Sequence, residues 1–279
     1  MLRFPCAAFL WVFAWSLAST PAELAQAPSF DVVSIRPVQP YPPYPGFFIE
    51  GDRFRGNHAT AAMVIAAAHG DIHRSQIIGG PPWIDTDRYN IEARADRRLP
   101  PKADDGLPQP VVALLGKVLV DRFQFRAHLE TREMDVLVLT RAEPEIRFNE
   151  HLRPSRRDCT SVTRPDWRSP DLTSADPIAA RFFDCYERGS YTTLIVRGRP
   201  MDRLAERLRG ELRRMVINET DIDGNVDIDV EYGPFEPDVL TRQAAMITAL
   251  REQLGLSLES QTRPLPVVVI ERIERPSPD

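Results

Sequence analysis

The sequence lacks the short motifs behind most familiar chemistry. It has no H-E-x-x-H, G-x-S-x-G, S-x-x-K or P-loop pattern, and no two glycines are spaced G-x-G. These absences remove zinc-peptidase helices, nucleophile elbows, penicillin-binding serines and glycine-rich phosphate loops from consideration. Lysine is nearly missing: of 35 basic residues only Lys102 and Lys117 are lysines. Codon bias in a GC-rich genome accounts for so uneven a split, and selection for bidentate anion contacts by arginine is the other reading. The net charge of −5 speaks against a nucleic-acid partner, because phosphate binding calls for a basic surface. Beyond the N-terminal segment no stretch approaches the roughly 20 apolar residues of a membrane-spanning helix. Cysteine is scarce too, at three in 279 residues.

What the chain does have at its start is the pattern of a signal peptide. Arg3 supplies a short positive region, Ala7 to Trp15 is an uninterrupted apolar run, and small residues offer cleavage after Ala18, Ala22 or Ala27. Pro28 disfavours the last site, and Cys6 precedes the apolar run, so it is not placed as an acylated lipoprotein cysteine. The expectation is export to the periplasm or the medium, with no transmembrane segment after cleavage. An uncleaved N-terminal anchor is the alternative. Removal of residues 1–27 leaves Cys159 and Cys185, which in an oxidising compartment are expected to form a disulfide. Neither has a C-x-x-C partner or a histidine nearby in sequence, which argues against thiol catalysis.

Hydrophobic periodicity predicts alternating strands and helices. Strands are expected at Phe30–Ile35, Tyr89–Ala93, Tyr191–Val196 and Val226–Val230, with a hairpin around Gly51-Asp52. Helices are expected over Thr60–His69, over the stripe Val111, Leu114, Leu115, Val118 and Leu119, over Met201, Leu204, Leu208 and Leu212, and over Leu240, Ala244, Ile247, Leu250 and Leu254. Phe123–Leu129 and Val136–Leu139 read as two strands of a hairpin turning at Glu130–Met134, while Leu256–Leu258 and Pro266–Ile270 close the chain. Residues 150–189, rich in Pro, Ser, Arg and Asp and carrying both mature cysteines, read as a long loop. The organisation is then a 1–27 signal peptide, a first α+β half at 28–149, a disulfide-bearing loop at 150–189 and a second α+β half at 190–279.

The order of elements repeats. Each half runs strand, helix, strand, helix, hairpin, and Thr131-Arg132 and Thr262-Arg263 stand at corresponding places before the last strands. The pattern predicts an α+β fold of two similar halves, an internal duplication packed as one unit about a pseudo-two-fold axis.

Several segments carry a resemblance. Phe30-Asp-Val-Val-Ser-Ile-Arg-Pro37, Gln76-Ile-Ile-Gly-Gly-Pro-Pro-Trp-Ile-Asp-Thr-Asp-Arg-Tyr-Asn-Ile-Glu-Ala93, Asp121-Arg-Phe-Gln-Phe125 with Glu130-Thr-Arg-Glu133, and Gln253-Leu-Gly-Leu-Ser-Leu-Glu259 with Glu274-Arg-Pro-Ser277 resemble a family of exported proteins of unknown function, abundant in soil bacteria of the acidobacterial type. The resemblance implies secretion and a shared fold. It also implies kinship with extracytoplasmic parts fused to membrane metallopeptidase sensors of antibiotic-response type. It carries over no catalytic residue.

The candidate sites divide by chemistry. Asp221, Asp223, Asn225, Asp227 and Asp229 alternate as oxygen ligands for calcium would, but Gly224 and Tyr232 break the EF-hand register, and alternation is also the default of a strand with a solvated face. His69 and His73 stand four apart, though Gly70 breaks a helix between them. His128 and Glu130 form H-x-E without the Pro-Cys-x-x-Cys partner of a zinc deaminase. Asp85, Asp87 and Glu92 could furnish a carboxylate pair. Trp83, after Gly-Gly-Pro-Pro, with Tyr41 and Tyr44, makes the better case for binding, since loop aromatics anchor peptides or sugars. The expected function is a non-catalytic binding or sensing module for an envelope protein, a peptide or a cell-wall component, with no cofactor, no metal and no nucleic acid. A carboxylate-using extracytoplasmic hydrolase and a structural envelope protein are the alternatives.

Overall fold

The structure, a computed structural model, describes residues 29–39, 45–102, 106–145, 147–160, 184–185, 187–190, 192–235 and 237–276. The signal segment and both Tyr41 and Tyr44 lie outside these residues. The fold is α+β, with three four-stranded sheets. Among the described residues no helix is long and apolar enough to cross a membrane.

The first sheet is antiparallel and built from β1 (Phe30–Val38), β2 (Gly46–Glu50), β3 (Arg53–Thr60) and β5 (Arg88–Ala95), in the order β1-β5-β3-β2. Against it pack α1 (Ala61–Ala68), the short α2 (Trp83–Thr86) and α3 (Gln109–Phe123). The third sheet holds β7 (Leu152–Pro154), β8 (Arg188–Gly189), β9 (Thr193–Arg199) and β11 (Val226–Glu231), in the order β7-β11-β9-β8, with α4 (Met201–Leu212) and α5 (Val239–Leu254) around the second core. The region 150–189 therefore contributes two edge strands, while residues 161–183 lie outside the described ones. Cys159 and Cys185 are disulfide-bonded, with Cα atoms 5.4 Å apart.

The middle sheet joins the halves. Its centre is an antiparallel ribbon of two long strands, β6 (Arg126–Arg141) and β12 (Leu256–Arg272), paired from end to end. The short β4 (Ile77–Ile78) runs parallel to β12, and β10 (Val216–Asn218) runs parallel to β6. This corrects the expected hairpins: the chain runs straight through Glu130–Met134 and through Glu259–Leu265. The physical reason is that neither segment carries a tight-turn dipeptide such as Asn-Gly or Asp-Gly. Their polarity marks an exposed stretch of ribbon, in which Thr131, Arg132, Glu133, Glu259 and Ser260 are exposed. Phe123, expected in a strand, is the last residue of α3, and Gln124 in the left-handed region (φ 50°) turns the chain into β6. Gly255 (φ 66°) makes the same turn from α5 into β12.

The ribbon also crosses the cores. Leu137 and Leu139 of β6 lie in the second core with Leu204, Leu208 and Leu250, whereas Val268 of β12 lies in the first core with Ile65, Leu115 and Phe123. Each half thus closes the core of the other.

Two faces differ from expectation. On α5 the buried side is Met246, Ala249, Leu250 and Leu254, while Leu240 and Ile247 are exposed, Leu240 by 74 %. The stripe read from sequence mixed two faces about 100° apart, because apolar residues occur on both. On β11 the expected wet face is only partly wet. Asp227 is buried, 7 % exposed, because its Oδ1 accepts the backbone N–H of Gly198 at 2.9 Å.

Candidate functional site

A cleft of about 950 Å³ opens between α1 and α4, where the two halves face each other. One wall is apolar. Thr60 caps α1 by accepting the Met63 N–H at 3.2 Å, and the helix turns Ala62, Met63 and Ala66 to the cleft. After α1, Gly70 (φ 85°) and Asp71 (φ 59°) reverse the chain in the left-handed region and bring Ile72, His73 and Arg74 to the rim.

His73 then caps a 3-10 turn at Arg74–Gln76. Its Nδ1 accepts the Ser75 backbone N–H at 3.3 Å, and its own backbone N–H donates to Gln76 Oε1 at 2.9 Å. Gln76 in turn donates to the Pro266 carbonyl at 2.8 Å, tying this corner to β12. Burial, then the positive charges of Arg209 and Arg74, hold the His73 imidazole below its ordinary pKa. Both effects favour the neutral ring.

The opposite wall is charged. Pro200, Asp202, Arg203, Glu206 and Arg209 of the α4 segment line it. Most of these charges are engaged. Arg203 grips Glu187 with Nε at 2.8 Å and Nη2 at 2.7 Å, and reaches Glu206 with Nη1 at 2.6 Å. Arg199 stands 2.8 Å from the same Glu187 carboxylate and is only 7 % exposed. Across the cleft Arg74 donates to both oxygens of Asp85 and, at 2.8 Å, to the Ile77 carbonyl. Arg209 donates its Nε to the Val216 carbonyl at 2.9 Å, and Asp202 accepts from Asn218 at 3.0 Å.

The disulfide stands at the edge of this wall. Thr160, next to Cys159, lines the cleft, and Glu187 lies two residues after Cys185. Reduction is expected to lower the unfolding free energy by about 3 kcal/mol, through the closed loop it opens. Calorimetry with and without a reductant checks the size of the loss.

The residues singled out from sequence are dispersed. Trp83 opens α2, partly buried at the rim of the first core, with the Arg275 guanidinium 5.2 Å from its ring centroid. It does not line the cleft. Asp85 does, but as the partner of Arg74, while Asp87 pairs with Arg275 at 2.7 Å. His69 bonds the Ile65 carbonyl at 2.8 Å and stands edge-on to Phe125, apart from the cleft where His73 sits. His128 bonds Glu271 at 2.8 Å.

The acidic run is divided among arginines. Asp221 faces Arg141, Asp227 lies near Arg153 and Arg157, and Asp229 bonds Arg197. Among the described residues no group of three His, Cys, Asp or Glu is placed to hold a metal. Sequence reading missed the charged face of α4. It followed the buried stripe Met201, Leu204, Leu208 and Leu212 and left the residues between them unassigned. The available signal was a helix with fully segregated faces whose charged side lies next to a proline-led start.

Comparison with curated proteins and with solved structures finds no match. The family described as a protein of unknown function, DUF3738, matches residues 62–273, from the first turn of α1 to the end of β12. That span takes in both walls of the cleft and the whole ribbon, and the chain belongs to the DUF3738 family.

Proposed function

We propose that the chain is an exported, non-catalytic binding module that holds a peptide or a segment of an envelope protein in the cleft between α1 and α4. The observation that carries this reading is the pairing of an apolar wall with a charged one around a space of about 950 Å³. That size is near the upper end of ligand pockets, and extended peptides present both kinds of group. The cleft carboxylates Asp85 and Glu206 are held by Arg74 and Arg203. A carboxylate held in this way is poorly suited to act as a general acid or base, which counts against these two as catalysts.

We also read the two halves as an internal duplication. The first and third sheets have the same strand order when β1, β5, β3 and β2 are matched to β7, β11, β9 and β8. Both αL turns precede the long strands, and matching Gln124 to Gly255 along the chain aligns Glu133 with Pro264. Those two residues pair with each other in the ribbon, as a pseudo-two-fold axis through that pair requires. The bulge in β3 at His58 (φ 46°) has its N–H on Asn90 Oδ1 at 3.0 Å, and the bulge in β9 at Gly198 (φ 56°) has its N–H on Asp227 Oδ1.

By the same matching Ala62, Met63 and Ala66 correspond to Asp202, Arg203 and Glu206. These positions thus carry apolar residues in one half and charged residues in the other. Arg203 of α4 clamps Glu187, and ligand recognition is the role we assign to the cleft's remaining charges.

The test is selection of displayed random peptides on the mature chain and on Ala66→Trp, whose ring enters the cleft from a partly buried position on α1. Enrichment on the wild type that Ala66→Trp abolishes, at unchanged melting temperature, is expected. Enrichment unaffected by Ala66→Trp but lost in Trp83→Ala would move the site to the Gly79–Trp83 corner.

A further inference from the structure

We infer that the cleft is built around a free peptide C-terminus, its carboxylate received by the two Nη groups of Arg209 beside the Nε2–H of His73. This rests on the binding role proposed above and names what the ligand must carry. The argument is one of remaining donors. Arg74 is engaged by Asp85 and Ile77, and Arg203 by Glu187 and Glu206, while Arg199 stands against Glu187. Arg209 is different: only its Nε is bonded, to Val216, and its Nη groups have no hydrogen bond among the described residues. The tether fixes the guanidinium, so its outer edge offers two parallel N–H bonds, the geometry a carboxylate matches.

His73 completes the receptor. Nδ1 meets the Ser75 N–H at 3.3 Å and the Ser75 hydroxyl at 2.8 Å; with both donating to Nδ1 the ring proton lies on Nε2, which has no partner among the described residues. The ring lines the same cleft and lies close enough to Arg209 for that charge to oppose its protonation. The titratable groups around it are Asp71, Arg74 and Asp85 on its own side, Arg199 at the end of β9, and Asp202, Arg203, Glu206 and Arg209 on α4. One uncompensated guanidinium with a neutral donor suits a monoanion better than a phosphate dianion. The apolar Met63, Ala66 and Ile72 are there for the ligand's side chains. Asp202, two turns before Arg209 on α4 and about 10 Å away along the axis, is placed for a backbone N–H or a cationic group further up the peptide.

The experiment uses pools of acetylated random hexapeptides made as free acids and as C-terminal amides, with decanoate as an acyl monoanion. Retention on the full mature chain is read by mass spectrometry. The free acids are expected to be retained at least tenfold over the amides. Arg209→Gln should abolish the difference. Arg209→Lys, which keeps the charge but not the fork, should not restore it, and His73→Gln, which keeps an N–H donor, should retain part of the difference.

A second readout is the His73 imidazole titration followed by NMR, which should move up when the acids bind. Equal retention of acids and amides, unchanged in Arg209→Gln, overturns the carboxylate assignment and leaves the binding role standing. Decanoate displacing the peptides would assign the same receptor to an acyl ligand and overturn the peptide. Retention of neither pool, by wild type and Ala66→Trp alike, overturns the binding role itself.

Discussion

Leu139→Ala, a change in the first half of the sequence, should loosen the second half of the molecule. Leu139 is fully buried and packs in the core of Leu204, Leu208 and Leu250. Truncation of a buried leucine costs about 2–5 kcal/mol, the spread reflecting how far the site collapses. The loss should appear first in the amides of α4 and α5, read by native-state hydrogen exchange.

The reciprocal variant is Val268→Asp. Val268 belongs to the last strand yet sits in the first core, 1 % exposed. A carboxylate there has no cationic partner in a cluster made of Ile65, Leu115 and Phe123, so it should destabilise by more than about 4 kcal/mol. Protection should fall first in α1 and α3. The crossed pattern follows from a ribbon whose strands each end in the other half's core. Protection lost in the half that carries the mutation would contradict it.

The fold was legible where pattern and local chemistry agree. The stripe of α3 reads correctly because Val111, Leu114, Leu115, Val118 and Leu119 are all buried on one face. The β2–β3 hairpin reads correctly because Gly51 takes a positive φ of 63° at its turn. The ribbon was not legible. Its middle is polar because it lacks a core, and a polar stretch between apolar ones looks like a turn unless the absence of turn residues is weighed. The buried Asp227 was illegible for a related reason. An aspartate alternating with valine and isoleucine has the pattern of a wet strand face, and only the bulge opposite supplies the N–H that holds it inside.

The site was less legible than the fold, again for physical reasons. The cleft is made by two helices far apart in sequence, and neither wall has a motif. Attention to Trp83 and the carboxylates followed residue types that often carry function. In the structure Trp83 is covered by Arg275, and Asp85 and Asp87 are held by arginines. The residues that stay chemically available, Arg209 and His73, become recognisable only when each donor's existing bonds are known.

The scarcity of lysine gains meaning here. Arg203 reaches Glu187 and Glu206 at once, and Arg74 reaches Asp85 and Ile77 at once. Such forked contacts suit a planar guanidinium and not a point-like ammonium.

Gly198→Ala tests the second bulge and should be among the most damaging single-methyl additions available. Gly198 has φ 56°, where an L-residue is strained, and a Cβ built on it meets Cys159 Sγ at 2.8 Å, Arg157 Cβ at 2.9 Å and the Arg157 carbonyl at 3.1 Å. None of these can yield cheaply. The sulfur is held in the disulfide, and the Cys159 N–H donates to the Gly198 carbonyl at 2.9 Å, so the two segments are pinned together. Left-handed strain of about 1–2 kcal/mol and overpacking of about 1–3 kcal/mol together predict a loss of about 2–5 kcal/mol. Denaturant unfolding of the variant measures it.

Two positions within the same chain separate the contributions. Gly224 has φ 77° but nothing within 4 Å of an added Cβ, so Gly224→Ala should show the strain alone, about 1–2 kcal/mol. His58, at the matching bulge of the first half, already carries a side chain at φ 46°. The backbone geometry therefore tolerates a Cβ where room exists, and the excess cost at Gly198 belongs to the disulfide segment packed against it. Equal losses at Gly198 and Gly224 would mean that this segment moves aside freely. In that case the bridge would not be holding the Glu187 side of the cleft in place.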